Sequence, residues 1–363
     1  MATARPDDPG PGPLTVEADA AEKTAEWGRI LGYVLGNHAA WIIDIGLRTG
    51  LLARVGAAGS GGITDERLAA ELGFDPQLTA TWCRAAYAFR IVDWDEARGY
   101  SLPAALGAVL LDTTDPQYLG GRVQFYTALY EDFRAYPDLL QSRERWPRSA
   151  HDPWLLTALA NLSKPDATML TTHAIPQAVG AWRALEAGGS LLEIGSGAGH
   201  HLIHYARTYP NARTEGIEFD GPSAEIARRA VIEAGLADRI VVRHSDANAL
   251  DDTDRHDLVV MNITLHETGG EADWLNVLQR ARSALHLGGS VLVSELPYPD
   301  RVIDYRSDAV YQMLAGVQLH ESVVGCGMIT QGGLRDLLES AGFVRVRTVD
   351  QPMKTRLVML GNR

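Results

Sequence analysis

The chain has 363 residues, of which 46% are hydrophobic and 22% charged, values typical of a soluble globular protein with about two domains. Its formal net charge of −13 argues against a nucleic-acid partner, because phosphate binding needs concentrated lysine and arginine. The two cysteines lack metal-finger spacing, and no apolar run approaches about 20 residues, so we expect a cytoplasmic protein with no membrane partner.

The N-terminal part is predicted to be a tail followed by two helices. Residues 1–15 are rich in proline, glycine and aspartate and lack an apolar signal core, which predicts a disordered tail. Residues 16–55 have apolar side chains at helical spacing, with a break at Gly36 and Asn37. Their apolar surface exceeds what one small domain buries, and this indicates a partner chain.

Residues 16–110 have the layout of a winged-helix domain. Thr64 is an N-cap for a short helix that ends at Gly73, and a second helix covers about 76–89. Two short strands after residue 90 then form a hairpin. DNA-binding regulators share this layout and remain an alternative, although the second helix has few basic residues for a phosphate backbone.

Beyond residue 110 the chain divides into a helical part and an alternating part. Residues 111–180 are mostly helical and rich in aromatic side chains, and we predict a helical linker and substrate cap there. Residues 181–363 alternate strands with helices, which predicts an α/β fold with a Rossmann-like, doubly wound sheet of seven mostly parallel strands. The predicted strands lie at 191–194, 214–218, 240–243, 257–261, 290–295, 343–349 and 356–360.

The most informative segment is the glycine loop that follows the first of these strands. Gly195, Gly197 and Gly199 alternate there and a helix follows, so the backbone can turn sharply close to a ligand. Position 200 is a histidine, where the dinucleotide fingerprint has its third glycine. Glu218 lies about 20 residues on, where a ribose needs a carboxylate. The pattern predicts a nucleoside-containing ligand and fits S-adenosylmethionine better than a dinucleotide.

Asp246 follows the strand at 240–243, at the edge where sheets of this kind bind ligands. Its carboxylate can accept a hydrogen bond from an adenine amine, or it can cap a helix. Taken alone, the two interpretations have equal weight. Together, the glycine loop, Glu218 and Asp246 favour the interpretation that Asp246 contacts a ligand.

With these motifs, the chain from Leu191 onward resembles a class I S-adenosylmethionine-dependent methyltransferase. After about residue 25 it resembles the small-molecule O-methyltransferases that have an N-terminal winged-helix dimerisation domain. The resemblance implies a homodimer and a set of contacts to the methyl donor. The residues at the matching positions are Glu193, Gly195, Ser196, Gly197, Gly199, Glu218, Asp246, Ala247 and Asn262.

His266 stands where the O-methyltransferase family has its general base, a role that suits an imidazole. The chain departs from the family at Glu267, where aspartate followed by tryptophan is usual. A second Leu-His-Glu sequence, around His320, resembles a smaller branch, the α-keto acid C-methyltransferases, in which two histidines hold a metal. That resemblance implies one divalent or trivalent ion, iron or zinc, held by His266, Glu267 and His320.

These residues lead to our first interpretation: metal-assisted C-methylation at the β-carbon of a 2-oxo acid, for a β-methylated amino acid in specialised metabolism. The metal stabilises the enolate, and either Glu267 or a metal-bound water removes the β-proton. Arg122, among aromatic residues of the cap, is a candidate partner for the substrate carboxylate or a plain surface arginine. The alternatives are a metal-free O-methyltransferase with His266 as general base, and a donor-binding scaffold without catalysis.

Overall fold

The computed structural model describes residues 19–142, 144–145 and 154–363, so the predicted tail at 1–15 lies outside the described residues. The first helix, α1 (Ala20–Arg48), is continuous, and the predicted break at Gly36 and Asn37 is wrong. A glycine inside a helix costs only about 1 kcal/mol, which the rest of a long helix outweighs. The break comes at Gly50, whose φ of +80° is incompatible with a helix, and α2 (Leu51–Ala57) follows it.

Large apolar side chains along α1 are exposed to solvent. By length and composition alone, this helix is also apolar enough to span a membrane, a property that sequence inspection missed because glycine, asparagine and histidine interrupt its apolar run. The homodimer inferred from this surface stays a prediction, as do the domain boundaries and the cytoplasmic location. The exposed side chains include Trp27, Ile30, Tyr33, Val34 and Leu35.

The next elements have the predicted winged-helix layout. The helices are α3 (Asp65–Leu72) and α4 (Pro76–Ala88), and the hairpin consists of β1 (Asp93–Asp95) and β2 (Gly99–Ser101). The Thr64 hydroxyl accepts a hydrogen bond from the Arg67 amide and so caps α3, as expected from its sequence. The side chains buried between these elements include Leu52, Val55, Leu68, Trp82 and Tyr100.

The middle of the chain is helical, and α6 (Gly120–Ala128) is in close contact with α8 (Trp154–Met169). A Cβ added to Gly121 would lie 2.4 Å from the backbone of Asn161, so only glycine allows this approach. The helix α8 contains Pro165 and continues into a wider turn at Leu170–Ala174. The helices of this part are α5 (Ala104–Leu111), α6 (Gly120–Ala128), α7 (Tyr130–Ser142), α8 (Trp154–Met169) and α9 (Val179–Glu186).

The described residues of the C-terminal part form a seven-stranded sheet. The strands are β3 (Ser190–Ile194), β4 (Arg213–Glu218), β5 (Ile240–His244), β6 (His256–Asn262), β7 (Leu285–Glu295), β8 (Val344–Thr348) and β9 (Leu357–Asn362). Their order in the sheet is β5-β4-β3-β6-β7-β9-β8. Strands β3 to β7 are parallel, whereas β9 is antiparallel to both of its neighbours. The helices are α10 (His200–Thr208), α11 (Gly221–Glu233), α12 (Glu271–Ala284), α13 (Ala309–Val324) and α14 (Gln331–Ser340). The predicted doubly wound α/β fold is therefore confirmed.

Apolar side chains cover both faces of this sheet, as expected for parallel strands between two helical layers. The strand order reverses between β3 and β6, because the chain leaves β3 for β4 on one side and returns to β6 on the other. Sheets of this kind bind ligands in the crevice at the carboxyl ends of the strands next to such a reversal. The glycine loop after β3 and the turn after β6 both lie at this edge.

Candidate active site

The glycine loop has the backbone that its sequence predicts. Gly195, Gly197 and Gly199 have φ values of +76°, +51° and +81°, in the left-handed region that favours glycine. A Cβ added to Gly195 would lie 2.3 Å from the Thr264 side chain, so the loop after β3 lies directly against the turn after β6. The amides of Gly195 and Ser196 both donate to the carbonyl of Ile217, which ties the loop to β4.

Glu218, the last residue of β4, lies against this loop. One oxygen of its carboxylate accepts from the Gly197 amide at 2.7 Å, and the other accepts from the Asp220 amide at 2.8 Å. The loop and the acidic residue are therefore neighbours, as the sequence interpretation requires. The contact with ribose stays a prediction.

Asp246 is exposed and caps the short turn at Ala247–Ala249, since its carboxylate accepts from the Asn248 amide at 2.8 Å. The capping role that the sequence left open is therefore present. Ala247 is buried beside it. Both residues lie at the carboxyl end of β5, close to the edge that carries the glycine loop.

Asn262, at the end of β6, belongs to a buried polar cluster that sequence reasoning missed. Its amide donates to Asp166 Oδ2 at 3.0 Å, and Arg356 donates to the same oxygen from Nε at 3.0 Å and from Nη2 at 2.8 Å. Asp166 is fully buried in α8, and Arg356 precedes β9. These partners lie 96 and 190 residues from Asp166 along the chain, and no local motif marks them.

Glu193 is buried in β3 and is paired with His201 of α10, whose Nδ1 lies 2.9 Å from its Oε1. Burial lowers the pKa of His201, but the charge and hydrogen bond of Glu193 outweigh it, so the pKa is raised. The other ring nitrogen of His201 donates to the Ser163 carbonyl at 2.9 Å. Through these two contacts, His201 joins α10 to β3 and to α8.

His266 lies in a short turn directly after β6 and is buried. Its Nδ1 donates to Glu295 Oε2 at 2.8 Å, and its Nε2 is 3.7 Å from Glu321 Oε2. Burial lowers the pKa of this imidazole, but Glu295, and then Glu321 and Glu267, raise it to about 10. Sequence reasoning identified His266 but missed Glu295 and Glu321 as its nearest carboxylates.

The predicted metal ligands do not form a ligand set. Glu267 is exposed, because successive residues of a tight helical turn point in different directions. His320 of α13 is buried, with Nδ1 3.3 Å from Asp132 Oδ2 and its ring against Phe125. Within residues 19–142, 144–145 and 154–363, no three histidine, cysteine or acidic side chains are grouped so as to hold a metal ion. The side chains therefore do not fit the metal that the sequence resemblance implied.

Arg122 projects from α6 toward α13, where its Nη1 lies 3.5 Å from the sulfur of Met313. Burial and the charge of Arg356 lower the pKa of its guanidinium. No acidic side chain of the described residues is within ion-pair distance of it. It is therefore a partly buried cation in the predicted substrate cap.

Comparison with known proteins identifies the domain. Residues 191–289 match the methyltransferase domain family. A tRNA1(Val) (adenine(37)-N6)-methyltransferase from Porphyromonas gingivalis is 37% identical over 93 residues, which are 23% of this chain and 36% of that protein. Aclacinomycin 10-hydroxylase RdmB from Streptomyces purpurascens is 38% identical over 104 residues, which are 28% of this chain and 27% of that protein. The chain thus spans only about a third of the length of each of these two curated relatives.

The similarity to solved structures extends over nearly the whole chain. The solved structure of mitomycin 7-O-methyltransferase MmcR is similar over 95% of this chain and 100% of its own, with a TM-score of 0.66 at 19% identity. At that identity the likeness concerns the fold. The chain therefore contains a methyltransferase domain, and its fold is that of the class I S-adenosylmethionine-dependent methyltransferases of the O-methyltransferase-like type.

Proposed function

We propose that the protein transfers a methyl group from S-adenosylmethionine to a hydroxyl group of a small molecule, with His266 as the base that takes the hydroxyl proton. The methyltransferase domain, the glycine loop and Glu218 support the donor. The observation that carries the acceptor chemistry is the buried His266, held by Glu295 at 2.8 Å through Nδ1. This contact leaves Nε2 as the nitrogen that can receive a proton.

The arrangement of the three side chains suits proton abstraction. Glu295 fixes the ring orientation and stabilises the imidazolium that forms when Nε2 takes the proton. Glu321, 3.7 Å from Nε2, adds to that stabilisation. Because the pKa of His266 is raised to about 10, the site favours an acceptor oxyanion beside a protonated imidazole. An oxyanion is the form that attacks the methyl group of a sulfonium.

The names of the relatives agree with methyl transfer only in part. MmcR is a 7-O-methyltransferase, and the Porphyromonas protein methylates an adenine, but RdmB is a 10-hydroxylase.

Methyl transfer itself must therefore be measured. The purified protein would be incubated with methyl-tritiated S-adenosylmethionine and a panel of hydroxylated aromatic compounds and 2-oxo acids. We expect label in an O-methyl product, lost in His266→Ala and retained in a His286→Ala control. Absence of label with every acceptor, or full activity of His266→Ala, would overturn the proposal.

A second candidate is C-methylation at the β-carbon of a 2-oxo acid, which Arg122 favours. A partly buried guanidinium without an acidic partner among the described residues suits a carboxylate, which it can bind through two parallel hydrogen bonds. Here His266 would take the β-proton, and no step requires a metal.

Deuterated water distinguishes the two candidates. C-methylation predicts exchange of the β-proton of a 2-oxo acid and a new carbon-bound methyl group, whereas O-methylation predicts neither. Arg122→Met should raise KM for carboxylated acceptors about ten- to hundredfold. The control is Arg183→Met, which removes an exposed arginine of α9 and should leave KM unchanged. Equal KM values in both variants would remove Arg122 from the acceptor site.

A further inference from the structure

Two polar atoms between the sheet and α13 are buried and have no hydrogen-bond partner among the described residues. They are the hydroxyl oxygen of Tyr298, which follows β7, and Nε2 of His266. The two residues are 3% and 2% exposed. The carboxylate of Glu321 is 3.7 Å from Nε2, beyond hydrogen-bond distance. A buried polar atom without a hydrogen bond is costly and rare, so it marks a place where another group is expected.

Both residues lie against one face of α13. Leu314, Val317 and Glu321 are three and four residues apart, so they share that face. Leu314 and Val317 pack in one apolar cluster with Tyr298, while Glu321 is the residue of this face that approaches the imidazole of His266. Val317 and Glu321 are one helical turn apart, about 6 Å along the axis. Tyr298 and the imidazole are therefore neighbours along α13.

The backbone around Tyr298 ties it to the segments that hold the base. Tyr298 is three residues after Glu295, whose carboxylate is hydrogen-bonded to Nδ1 of His266. Its carbonyl accepts from the Gln331 amide at 3.1 Å, and the amide of Gly327 in the same loop donates to the carbonyl of His266 at 3.2 Å. The chain after β7 and the chain after α13 thus fix the tyrosine beside the base.

The two unpartnered atoms have complementary chemistry. Burial, and then the charge of Glu321, raise the pKa of Tyr298, so its hydroxyl stays protonated and donates. Nε2 of His266 is the nitrogen that takes a proton from the acceptor. The oxygen that gives this proton needs a free lone pair for the methyl group, so the tyrosine suits a different oxygen of the same molecule.

The side chains around Tyr298 suit an aromatic ring. They are largely apolar and include Tyr126, Ile263 and Met313. Ile263 has a φ of +52°, a region where β-branched residues are rare. Strained backbone of this kind is found mainly at functional sites, and here it lies between the end of β6 and the turn of His266.

We propose that Tyr298 binds the acceptor by donating a hydrogen bond to a second oxygen, next to the hydroxyl group whose proton His266 takes. The preferred acceptor is then an aromatic compound with two neighbouring oxygens. Two hydrogen bonds of about 2.8 Å each, together with the gap between neighbouring ring oxygens, cover one turn of α13. The inference rests on the proposed role of His266 and adds to it a binding residue and a feature of the substrate.

Two coloured phenols test the proposal without any methyl transfer. 4-Nitrocatechol has two neighbouring hydroxyl groups and 4-nitrophenol has one, and the anions of both absorb visible light. Each is titrated into the protein in the presence of S-adenosylhomocysteine, and the growth of the anion band gives the dissociation constant. We expect the wild-type protein to bind nitrocatechol about tenfold more tightly than nitrophenol. In Tyr298→Phe this ratio should approach one, with the affinity for nitrophenol retained.

A matched control is Tyr209→Phe. Tyr209 is another buried tyrosine, its hydroxyl donates to the Thr171 carbonyl at 3.5 Å, and it precedes β4 at the opposite edge of the sheet. Its ratio should equal that of the wild type. A second measurement is denaturant unfolding of the ligand-free protein. Because the Tyr298 hydroxyl has no partner among the described residues, Tyr298→Phe should keep or raise the midpoint.

Three results would overturn the contact of Tyr298 alone. They are a wild-type protein without preference for nitrocatechol, a preference that persists in Tyr298→Phe, and a variant that binds both phenols equally weakly or has a lower unfolding midpoint. A wild-type protein that forms the anion of neither phenol would overturn the proposed role of His266 and this inference with it.

Discussion

Nδ1 of His266 lies 2.8 Å from Glu295 Oε2, and both side chains are almost wholly buried. The pair joins the turn after β6 to the last residue of β7, and the Glu295 carboxylate also accepts from the backbone amide of His266 at 3.3 Å. One carboxylate at the end of β7 thus holds both the ring and the backbone of His266. This rigidity is what a base needs in order to meet its acceptor in one geometry.

The raised pKa of His266 predicts an alkaline pH dependence. Because the imidazole must be deprotonated to take a proton and its pKa is about 10, kcat/KM should rise with pH toward that value. Glu295→Gln removes the carboxylate that raises the pKa, so the rising limb should move to lower pH, with a lower maximal rate. Steady-state pH profiles of both proteins provide the measurement. If kcat/KM rises at the same pH in both proteins, a group other than His266 controls the pH dependence.

Substitution of two glycines of the loop by alanine should lower the stability of the protein to different extents. Gly195→Ala places a Cβ 2.3 Å from Thr264 at a φ of +76°, whereas Gly197→Ala meets nothing within 4 Å at a φ of +51°. Gly197→Ala should therefore lower the free energy of unfolding by about 1–2 kcal/mol, the cost of the left-handed backbone. Gly195→Ala should lower it by more, since a clash is added. Denaturant titration checks the order, and equal losses would contradict the loop geometry.

The fold could be predicted from the sequence because its signals are local. The apolar run of β3, the glycines that follow it and the alternation of strands with helices each lie within short segments. The contacts of the candidate site, by contrast, join residues that are far apart in the sequence. His266 was identified from its family position, but Glu295 is 29 residues away and Arg356 is 190 residues from Asp166. Such pairs form only when the strands and helices assemble into the folded domain, and no spacing in the sequence encodes them.

The metal set that the resemblance implied includes Glu267, the neighbour of His266 in the sequence, but neighbours in the sequence need not face the same site. Glu267 follows His266 directly, yet it points to solvent, while the carboxylates that face the imidazole come from β7 and α13. Likewise, the second Leu-His-Glu sequence directs His320 toward Asp132 of α7. A repeated tripeptide therefore gives two histidines with separate partners.

His320 tests whether its buried contact is structural or serves the metal-assisted reaction that the sequence resemblance implied. If its contact with Asp132 only joins α13 to α7, His320→Ala should retain O-methyl transfer within about tenfold and lower the melting temperature. If it serves a metal-assisted C-methylation, the variant should lose that activity together with a stoichiometric ion. Activity measured with and without a chelator, and elemental analysis of the purified protein, separate these outcomes.

The exposed apolar side chains of α1 predict a homodimer. Trp27 is 66% exposed and Ile30 is 51% exposed, as are several neighbours along the helix. Trp27→Glu should shift the protein toward the monomer in sedimentation equilibrium, because a charge would be buried at the contact. Ala25→Glu, at an exposed position on the opposite side of the same helix, is the control. A wild-type protein that is monomeric at micromolar concentration would contradict the prediction.

The role of His266 as the proton acceptor is tested most directly by the rate of a single turnover at saturating methyl donor, in the wild type and in His266→Ala. Loss of a positioned base predicts a rate lower by about 10²- to 10⁴-fold, with the affinity for the donor unchanged, since the glycine loop and Glu218 are untouched. A rate within a few-fold of the wild type would contradict the proposed role of His266.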